Sequence, residues 1–267
     1  SATLTVECST VPAAVTLTAT DNCGTATVVF TESTTPGSCA GAYTITRTWT
    51  ATDLCNNQNV HTQTITVQDN TAPSFVEALP SATLTVECSA VPVAATLTAT
   101  DNCGTATVAF TESTTPGSCS GSYTITRTWT ATDLCNNQTG HIQTIIVQDT
   151  TAPTLVGTLQ AIVEATCSSI PDAPVLQFTD NCSSTSEINV QYTTTTSSPD
   201  SDGHYTIVRD WSITDACGNV LPLTQTVNVT IPNYQLSTGI QAVCNIDIDL
   251  TIDLMSIINI QYPGTPT

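Results

Sequence analysis

Residues 43–50 read Tyr-Thr-Ile-Thr-Arg-Thr-Trp-Thr, and this stretch decides the fold class. Large side chains occupy the odd positions (Tyr43, Ile45, Arg47 and Trp49), whereas every even position is threonine. Because successive side chains of a β-strand point to opposite faces, the alternation predicts a strand with one buried face and one threonine face towards solvent. We expect Trp49 in the core; the alternative is an exposed platform on which a sugar stacks.

The same period of two recurs throughout the first 70 residues, and no stretch has sustained helical spacing. Turn signals rich in Asp, Asn, Gly and Pro separate the runs. The pattern predicts strands near residues 2–8, 13–20, 25–31, 43–52 and 61–68. Short strands with a turn every 8 to 12 residues or so are typical of an immunoglobulin-like β-sandwich, so the predicted class is all-β.

The chain of 267 residues is built from repeats. Residues 1–69 differ from residues 81–149 at only ten positions, and a diverged third copy follows with the same order of Cys, Asp, Arg and Trp positions. Such self-similarity indicates tandem modules. The predicted domains are three immunoglobulin-like repeats and a β-strand tail, at 1–72, 73–152, 153–232 and 233–267.

Charge restricts the partners. The formal net charge is −19, and Arg47, Arg127 and Arg209 are the three basic residues besides histidine. A surface of this kind has little with which to neutralise phosphate groups, so no nucleic acid partner is expected. No apolar run approaches the roughly 18 residues that span a bilayer, so no membrane insertion is expected either.

Twelve cysteines recur at repeat positions without a Cys-x-x-Cys pair, which indicates disulfides and an oxidising, extracellular location. If the predicted strands run alternately up and down, the first and third cysteines of a repeat lie at one end and the second and fourth at the other. This path predicts four disulfides within the first two repeats: Cys8–Cys39, Cys23–Cys55, Cys88–Cys119 and Cys103–Cys135.

The third repeat lacks one cysteine, because Ser201 or a neighbour fills the position of Cys39. Cys182 is then expected to pair with Cys217 as in the other repeats. Cys167 is left to pair with Cys244 of the tail, either within the chain or between subunits.

The tail has its own alternating pattern. Apolar residues occupy even positions, and acidic residues lie between them: the apolar candidates are Ile246, Ile248, Leu250, Ile252 and Leu254. An amphipathic strand needs a sheet edge to pair with. The run from Ile246 to Tyr262 either begins a further domain or folds back as a hairpin with residues 234–243. The other possibility is that residues 244–262 donate a strand to a neighbouring subunit and so build a filament.

Catalytic chemistry finds no support in the sequence, and the chain is predicted not to be an enzyme. His61 and His141 are one repeat position copied, and neither they nor His204 belong to a nucleophile or zinc motif. The recurring arginine, Arg47 in the first repeat, is expected to pair with a carboxylate, Glu7 or Glu32.

A divalent cation is the better chemical hypothesis, although no cofactor is required for the fold. Oxygen ligands converge where repeats join, and calcium takes six to eight of them. The candidate ligands are Asp69, Asn70, Asp101 and Asp133 at the first junction and Asp149, Asp180 and Asp215 at the second. The alternative is that Asp21, Asp53 and their copies in the other repeats only hydrogen-bond to their own turns.

Two resemblances bear on function. Residues 1–232, with Val-Glu-Cys, Thr-Ala-Thr-Asp-Asn-Cys-Gly, Pro-Gly-Ser-Cys and the run from Tyr43 to Asn57, resemble the hyalin-type (HYR-like) repeats of gliding-motility adhesins and other large surface proteins exported by type IX secretion. The linker Asp-Asn-Thr-Ala-Pro resembles that of cadherins, which hold calcium between domains. In this context Asp149-Thr150-Thr151 resembles an O-glycan acceptor, with Thr150 as the candidate.

The HYR resemblance implies a non-enzymatic structural or adhesive repeat segment, a stalk or adhesin, on a bacterial cell surface. Its expected partners are further repeats or copies of itself, including a homopolymer, and an unknown surface or glycan ligand. The alternatives are a subunit of an extracellular filament assembled by the tail and an array of carbohydrate-binding modules.

Overall fold

The structure is a computed structural model, and it describes residues 2–231. The chain divides into two compact units, Ser1–Asp149 and Thr150–Thr267, which are described separately. The tail predictions, including Cys244 and the strand-donor residues 246–254, lie outside the described residues.

The first unit contains two repeats of the same design. The strands of the first repeat are β1 (Ala2–Glu7), β2 (Thr27–Pro36), β3 (Tyr43–Thr52) and β4 (Gln58–Gln68). Those of the second are β5 (Ser74–Phe75), β6 (Thr83–Glu87), β7 (Ala99–Thr100), β8 (Thr107–Pro116), β9 (Tyr123–Thr132) and β10 (Gln138–Gln148). One 3₁₀ turn follows the first long strand in each repeat, at Cys8–Thr10 and Cys88–Ala90.

Each repeat is centred on a four-stranded sheet, in the order β1-β4-β3-β2 and then β6-β10-β9-β8. The first strand runs parallel to the last, with Val6 opposite Val67, and the other pairs are antiparallel. In the second repeat β5 and β7 form a separate two-stranded sheet. This is the mixed sheet and small partner sheet of an immunoglobulin-like sandwich.

The second unit repeats the plan. Its strands are β11 (Thr154–Val156), β12 (Ile162–Thr166), β13 (Gln177–Thr179), β14 (Asn189–Thr196), β15 (Tyr205–Thr214) and β16 (Val220–Thr230). The sheet order is β12-β16-β15-β14, with β11 and β13 paired separately. The predicted all-β class with tandem immunoglobulin-like modules is therefore confirmed.

The alternation of residues 43–50 has the predicted result. Ile45, Arg47 and Trp49 are buried, and the indole Nε1 of Trp49 donates to the carbonyl of Val15 at 3.0 Å. Trp49 is thus a core residue whose polar atom is satisfied, as buried tryptophans require.

Arg47 pairs with Glu32, which lies directly opposite it in the β2–β3 register. Its Nε donates to Glu32 Oε2 at 2.7 Å, and its Nη2 donates to the carbonyl of Pro12 at 2.8 Å. Glu7, the other predicted partner, instead accepts a hydrogen bond from Asn70. A buried guanidinium needs both charge and hydrogen-bond partners, and these contacts supply them.

One predicted strand is wrong: residues 13–20 contain no regular strand, and only Thr20 forms an isolated bridge, with Thr25. The equivalent part of the second repeat, Ala99–Thr100, is a strand because it pairs with β5, which is not part of the four-stranded sheet. In the first repeat the Val15 carbonyl accepts from the Trp49 side chain, and residues 13–19 have no ladder partner among residues 2–231.

Neighbouring residues of β10 test the two-faced character of the sheet. Ile145 is 0% exposed and packs with Ile125 and Val147, whereas Ile146 is 41% exposed on the other face. We expect Ile145→Ala to lower the free energy of unfolding by about 2–5 kcal/mol, because it leaves a cavity. Ile146→Ala is the matched control and should cost less than about 1 kcal/mol. Guanidinium unfolding of the oxidised full chain, followed by circular dichroism, measures both; equal losses would contradict the assignment of faces.

Candidate functional site

The site of interest is the junction between the first two repeats, here defined as Cys8, Cys39, residues 69–73, Cys103 and Cys135. Because β1 is parallel to β4, both strands end at the same edge of the first repeat. Cys8 follows the end of β1, and the linker follows the end of β4. The antiparallel β3 begins at this edge, so the loop that contains Cys39 lies there too.

The second repeat contributes two turns to the junction. β7 ends at Thr100 and leads into Asp101 and Cys103, and β9 ends at Thr132 and leads into Asp133 and Cys135. The ends of β7 and β9 therefore bring these two turns to the junction.

Two disulfides cross the junction. Cys8 is bonded to Cys103 and Cys39 to Cys135, with Cα–Cα distances of 5.7 and 5.1 Å. Each closes a long stretch of chain, with sequence separations of 95 and 96 residues. The peptide linker and both disulfides therefore join the same two repeats.

Three predicted disulfides are wrong: Cys8–Cys39, Cys103–Cys135 and Cys23–Cys55. The four cysteines of the junction pair across it instead, and Cys23 and Cys55 are free and exposed. The predicted ends were correct, since Cys8 and Cys39 share one end of the first repeat. The error lay in the assumption that cysteines sharing an end bond to each other, when each faces a cysteine of the next repeat.

The remaining cysteine pairings stay predictions. Cys88, Cys119, Cys167, Cys182 and Cys217 are all disulfide-bonded. The proposed pairs Cys88–Cys119 and Cys182–Cys217 join residues of this set, and the proposed partner of Cys167, Cys244, lies outside the described residues. In the first repeat the pair equivalent to Cys88–Cys119 does not form.

Close packing at the junction depends on Gly41. A Cβ atom at this position would lie 2.8 Å from Asp69 Cβ, 2.8 Å from Asp69 Oδ2 and 3.1 Å from Cys103 Cβ. Side-chain carbon atoms do not approach this closely, so only glycine lets the loop that contains Cys39 meet the linker and the second repeat. Sequence analysis did not single out Gly41, because its role appears only in the contact between repeats.

The turn that holds Cys135 is organised by Asp133. Its Oδ1 accepts from the backbone nitrogens of Cys135 at 2.7 Å and Asn137 at 2.9 Å, and its Oδ2 accepts from the Asn137 side chain at 2.8 Å. The Asn137 Nδ2 also donates to the carbonyl of Asp69 at 3.1 Å. Asp133 thus binds its own turn, and Asn137 ties that turn to the linker.

The same Asx geometry recurs in the other turns. Asp21 Oδ2 accepts from Cys23 N at 2.8 Å, and Asp53 Oδ1 accepts from Cys55 N at 2.8 Å. The interpretation of these aspartates as turn-forming residues is confirmed.

Three of the predicted calcium ligands meet at the junction. Asp69, Asp101 and Asp133 each offer a carboxylate oxygen within 4.8 Å of the others. Asp69 and Asp133 are buried, and the buried Oδ1 of Asp101 has no hydrogen-bond partner. Asn70 points its amide elsewhere, donating to Glu7 Oε1 at 3.1 Å.

The charges of this acidic cluster (Asp69, Asp101 and Asp133) affect its protonation. Burial raises the pKa of Asp69, and the charges of Asp101, Asp133 and Glu7 add to the effect against an opposing hydrogen bond from the Thr71 backbone. Burial also acts to raise the pKa of Asp133, but hydrogen bonds from Asn137 and neighbouring backbone outweigh it, and the net pKa is lowered. The ionisation of Asp69 therefore costs free energy in the folded protein.

The other predicted calcium ligands belong to two units: Asp149 to the first, and Asp180 and Asp215 to the second. Asp149 is buried. Asp180 Oδ1 accepts from Cys182 N at 2.8 Å, and Asp215 Oδ1 accepts from Cys217 N at 2.8 Å, so both form the same Asx turns. Thr150 is exposed, and its glycosylation stays a prediction.

His141 makes packing and hydrogen-bond contacts within the second repeat. Its ring lies 5.8 Å from that of Trp129, and its Nε2 is 2.9 Å from the carbonyl of Pro80. These contacts are structural. None of the helices in residues 2–231 is long and apolar enough to cross a bilayer.

A family model described as "HYR-like domain with 4 cysteines" matches residues 1–67 and 76–147, more than half of the chain. The chain therefore belongs to the family of HYR-like domains with four cysteines. The predicted resemblance to HYR-like repeats is confirmed for these two repeats, and the family is one of extracellular, non-catalytic repeat domains.

No curated protein matches the sequence significantly. Among solved structures, mouse protocadherin-24 EC1-3 is similar with 13% identity and a TM-score of 0.35, covering 86% of this chain and 97% of that one. Protocadherin gammaB7 EC3-6, solved as a cis-dimer, has 11% identity and a TM-score of 0.34, covering 86% and 71%. Drosophila N-cadherin EC1-4 has 12% identity and a TM-score of 0.23, covering 86% and 74%. Because these TM-scores are low, the family assignment depends on the family match and not on these structures.

Asp69→Asn tests the electrostatics of the acidic cluster. Because the folded-state pKa of Asp69 is raised, its ionised form destabilises the fold above that pKa, and the penalty fades as pH falls through it. In EDTA at pH 7 we expect Asp69→Asn to increase the free energy of unfolding, with an advantage that shrinks as the pH is lowered. Urea unfolding across this pH range measures it. A variant less stable than wild type in EDTA at pH 7 would contradict the prediction.

Proposed function

We propose that this chain is a structural segment of a bacterial cell-surface protein, a non-enzymatic stalk that holds an adhesive element away from the cell. The observation that carries the proposal is the pair of disulfides across one junction, Cys8–Cys103 and Cys39–Cys135. A peptide linker alone permits hinge motion, which is the default for adjoining domains. Three covalent connections between the same two repeats restrict it.

The surface chemistry supports a role outside the cell. A chain with at least nine disulfide-bonded cysteines matures in an oxidising compartment. The net charge of −19 makes neighbouring copies of the chain repel each other, which opposes aggregation. The HYR family assignment supports an adhesion-type repeat, and the link to gliding motility and type IX secretion is part of this proposal.

Stiffness at the junction is measurable by distance distributions between repeat-equivalent sites. Ala13 and Val93 are exposed and 80 positions apart, and both accept a spin-labelled non-natural residue without using cysteine. We expect a narrow distribution for the oxidised full chain by pulsed electron resonance. Replacing Cys8, Cys39, Cys103 and Cys135 by Ser should broaden it, because only residues 69–73 then connect the repeats.

The matched control is Cys23→Ser with Cys55→Ser, which removes two cysteines of the same repeat positions but no observed disulfide. This variant should keep the narrow distribution. A wild-type distribution as broad as that of the four-serine variant, with the circular dichroism of both intact, would overturn the stalk proposal.

We further propose that the acidic cluster binds calcium. Three carboxylates fit a hard divalent cation, which prefers oxygen ligands, and the partnerless Oδ1 of Asp101 is available as one of them. A cation would offset the burial and, to a lesser extent, the neighbouring negative charges that raise the pKa of Asp69. Asp149, Asp180 and Asp215 stay candidates for calcium binding on the strength of the sequence repeat alone.

Asp101→Asn and Asp21→Asn form a matched pair for this test, because both residues bind the cysteine two positions ahead but only Asp101 belongs to the cluster. We expect millimolar Ca²⁺ to raise the unfolding midpoint of wild type and Asp21→Asn, by an amount that grows with the logarithm of concentration. Asp101→Asn should respond less, and calorimetric titration should show one site fewer. An equal response of all three proteins, or an equal effect of Mg²⁺, would contradict calcium binding at this cluster.

A further inference from the structure

The four cysteine positions of a repeat have two different roles. Cys8 and Cys39, the outgoing positions, bond forward to the second repeat, where Cys103 and Cys135 receive them. Cys103 and Cys135 correspond to Cys23 and Cys55 of the first repeat, the incoming positions, by the spacing of 80 residues.

The incoming cysteines of the first repeat are the two without a disulfide. Within residues 2–231 the other nine cysteines are all bonded, whereas Cys23 and Cys55 are free and exposed. The outgoing cysteines of the described chain are therefore already used, and none of them can serve Cys23 and Cys55.

The two thiols are held in the same turns as their bonded counterparts. The Cys23 nitrogen donates to Asp21 as the Cys103 nitrogen donates to Asp101, at 2.8 and 2.7 Å. After Cys55 and Cys135, Asn56 and Asn136 both adopt left-handed backbone, with φ of 64° and 68°. No rearrangement of these turns is needed to form the bonds seen at the junction.

The side chains near Cys23 and Cys55 are also less covered than the equivalent side chains near Cys103 and Cys135. Leu54 is 77% exposed, whereas the equivalent Leu134 at the junction is 51% exposed. Asn57 donates to Asp53 as Asn137 does to Asp133, but only Asn137 has the additional acceptor supplied by the Asp69 carbonyl of the preceding repeat. The thiols, an apolar side chain and an amide thus all match a surface that is covered one repeat later.

We infer that Cys23 and Cys55 form an acceptor surface for a preceding HYR-type module, which bonds to them through its own cysteines equivalent to Cys8 and Cys39. The partner must present the two outgoing thiols beside a linker with an Asp69-type residue. This inference rests on the cysteine pattern and goes beyond the stalk proposal, since it would hold for any array of these repeats.

The chemistry is an oxidation. Four thiols become two disulfides, releasing four protons and four electrons, and a protein dithiol–disulfide oxidase of the oxidising compartment takes up the electrons as its own disulfides are reduced. Each Cys23 and Cys55 sulfur then bonds to one sulfur of the preceding module.

The first test supplies a candidate partner. A ¹⁵N-labelled second copy of residues 1–80 is joined by segmental ligation in front of Ser1 of the full chain, so that its otherwise identical peptides differ in mass from the original ones. The oxidised protein is then alkylated with iodoacetamide and digested with pepsin at acid pH for mass spectrometry. We expect the added copies of Cys8 and Cys39 to be bonded to Cys23 and Cys55, with alkylation moved to the incoming cysteines of the added repeat. Serine at the two added outgoing positions is the control and should leave Cys23 and Cys55 alkylated.

Two results of this test would overturn the inference: alkylation of Cys23 and Cys55 in the fused chain, or a disulfide between them. The Cys8–Cys103 and Cys39–Cys135 bonds of the original chain report in the same digest that its junction has formed.

The second test uses the protein isolated from its own cells after alkylation, so that it does not depend on the folding of an added repeat. A HYR-type cysteine bonded to each of Cys23 and Cys55 supports the inference. A reducing gel then separates the sources, because the mass falls if the partner is another chain and is unchanged if it belongs to the same polypeptide. Alkylated thiols, a Cys23–Cys55 bond or a partner of another kind would overturn it.

Discussion

Two disulfides at one junction, Cys8–Cys103 and Cys39–Cys135, are the constraint on which the first unit depends. Each repeat is small, and a domain of this size buries a limited core. A bridge that closes a loop of roughly 100 residues restricts the unfolded chain by up to about 4.7 kcal/mol in the chain-entropy model, and the second bridge of an interleaved pair adds less because the two loops share residues. Because both loops include residues of two repeats, neither repeat benefits alone: the stabilisation is shared.

The rest of the junction follows from that constraint. Gly41 has no side chain because the loop holding Cys39 must approach Asp69 and Cys103 closely. Asp133 and Asn137 fix the turn on which Cys135 is presented, and Asn137 extends the same hydrogen-bond network to the linker. The acidic cluster is a consequence of this closeness, since the turns that position the cysteines each begin with an aspartate. The two disulfides and the acidic cluster are thus both produced by the same close approach of the two repeats.

The sequence predicted the fold well because strand periodicity is a local property. The alternation at residues 43–50 placed Trp49 and Arg47 on the buried face, but it left Glu7 and Glu32 open as partners of Arg47, and the β2–β3 register selects Glu32. The prediction for residues 13–20 failed because a strand needs a partner strand, which no local pattern records. The disulfides failed for a related reason: knowing that Cys8 and Cys39 share an end does not reveal what faces that end. Gly41 and the free state of Cys23 likewise depend on contact between repeats.

The same bridges alter how the array carries tension. Force applied along the chain enters at β1, reaches Cys8 within a few residues and can pass directly through sulfur to Cys103, so the 95-residue separation between them is shielded from the pull. At about 3.3–3.6 Å per extended residue, this withholds roughly 300 Å of contour length that an unbridged chain would release on unfolding. The two bridged repeats would therefore release much less length under tension while their disulfides remain oxidised, and a reducing environment would make them more extensible.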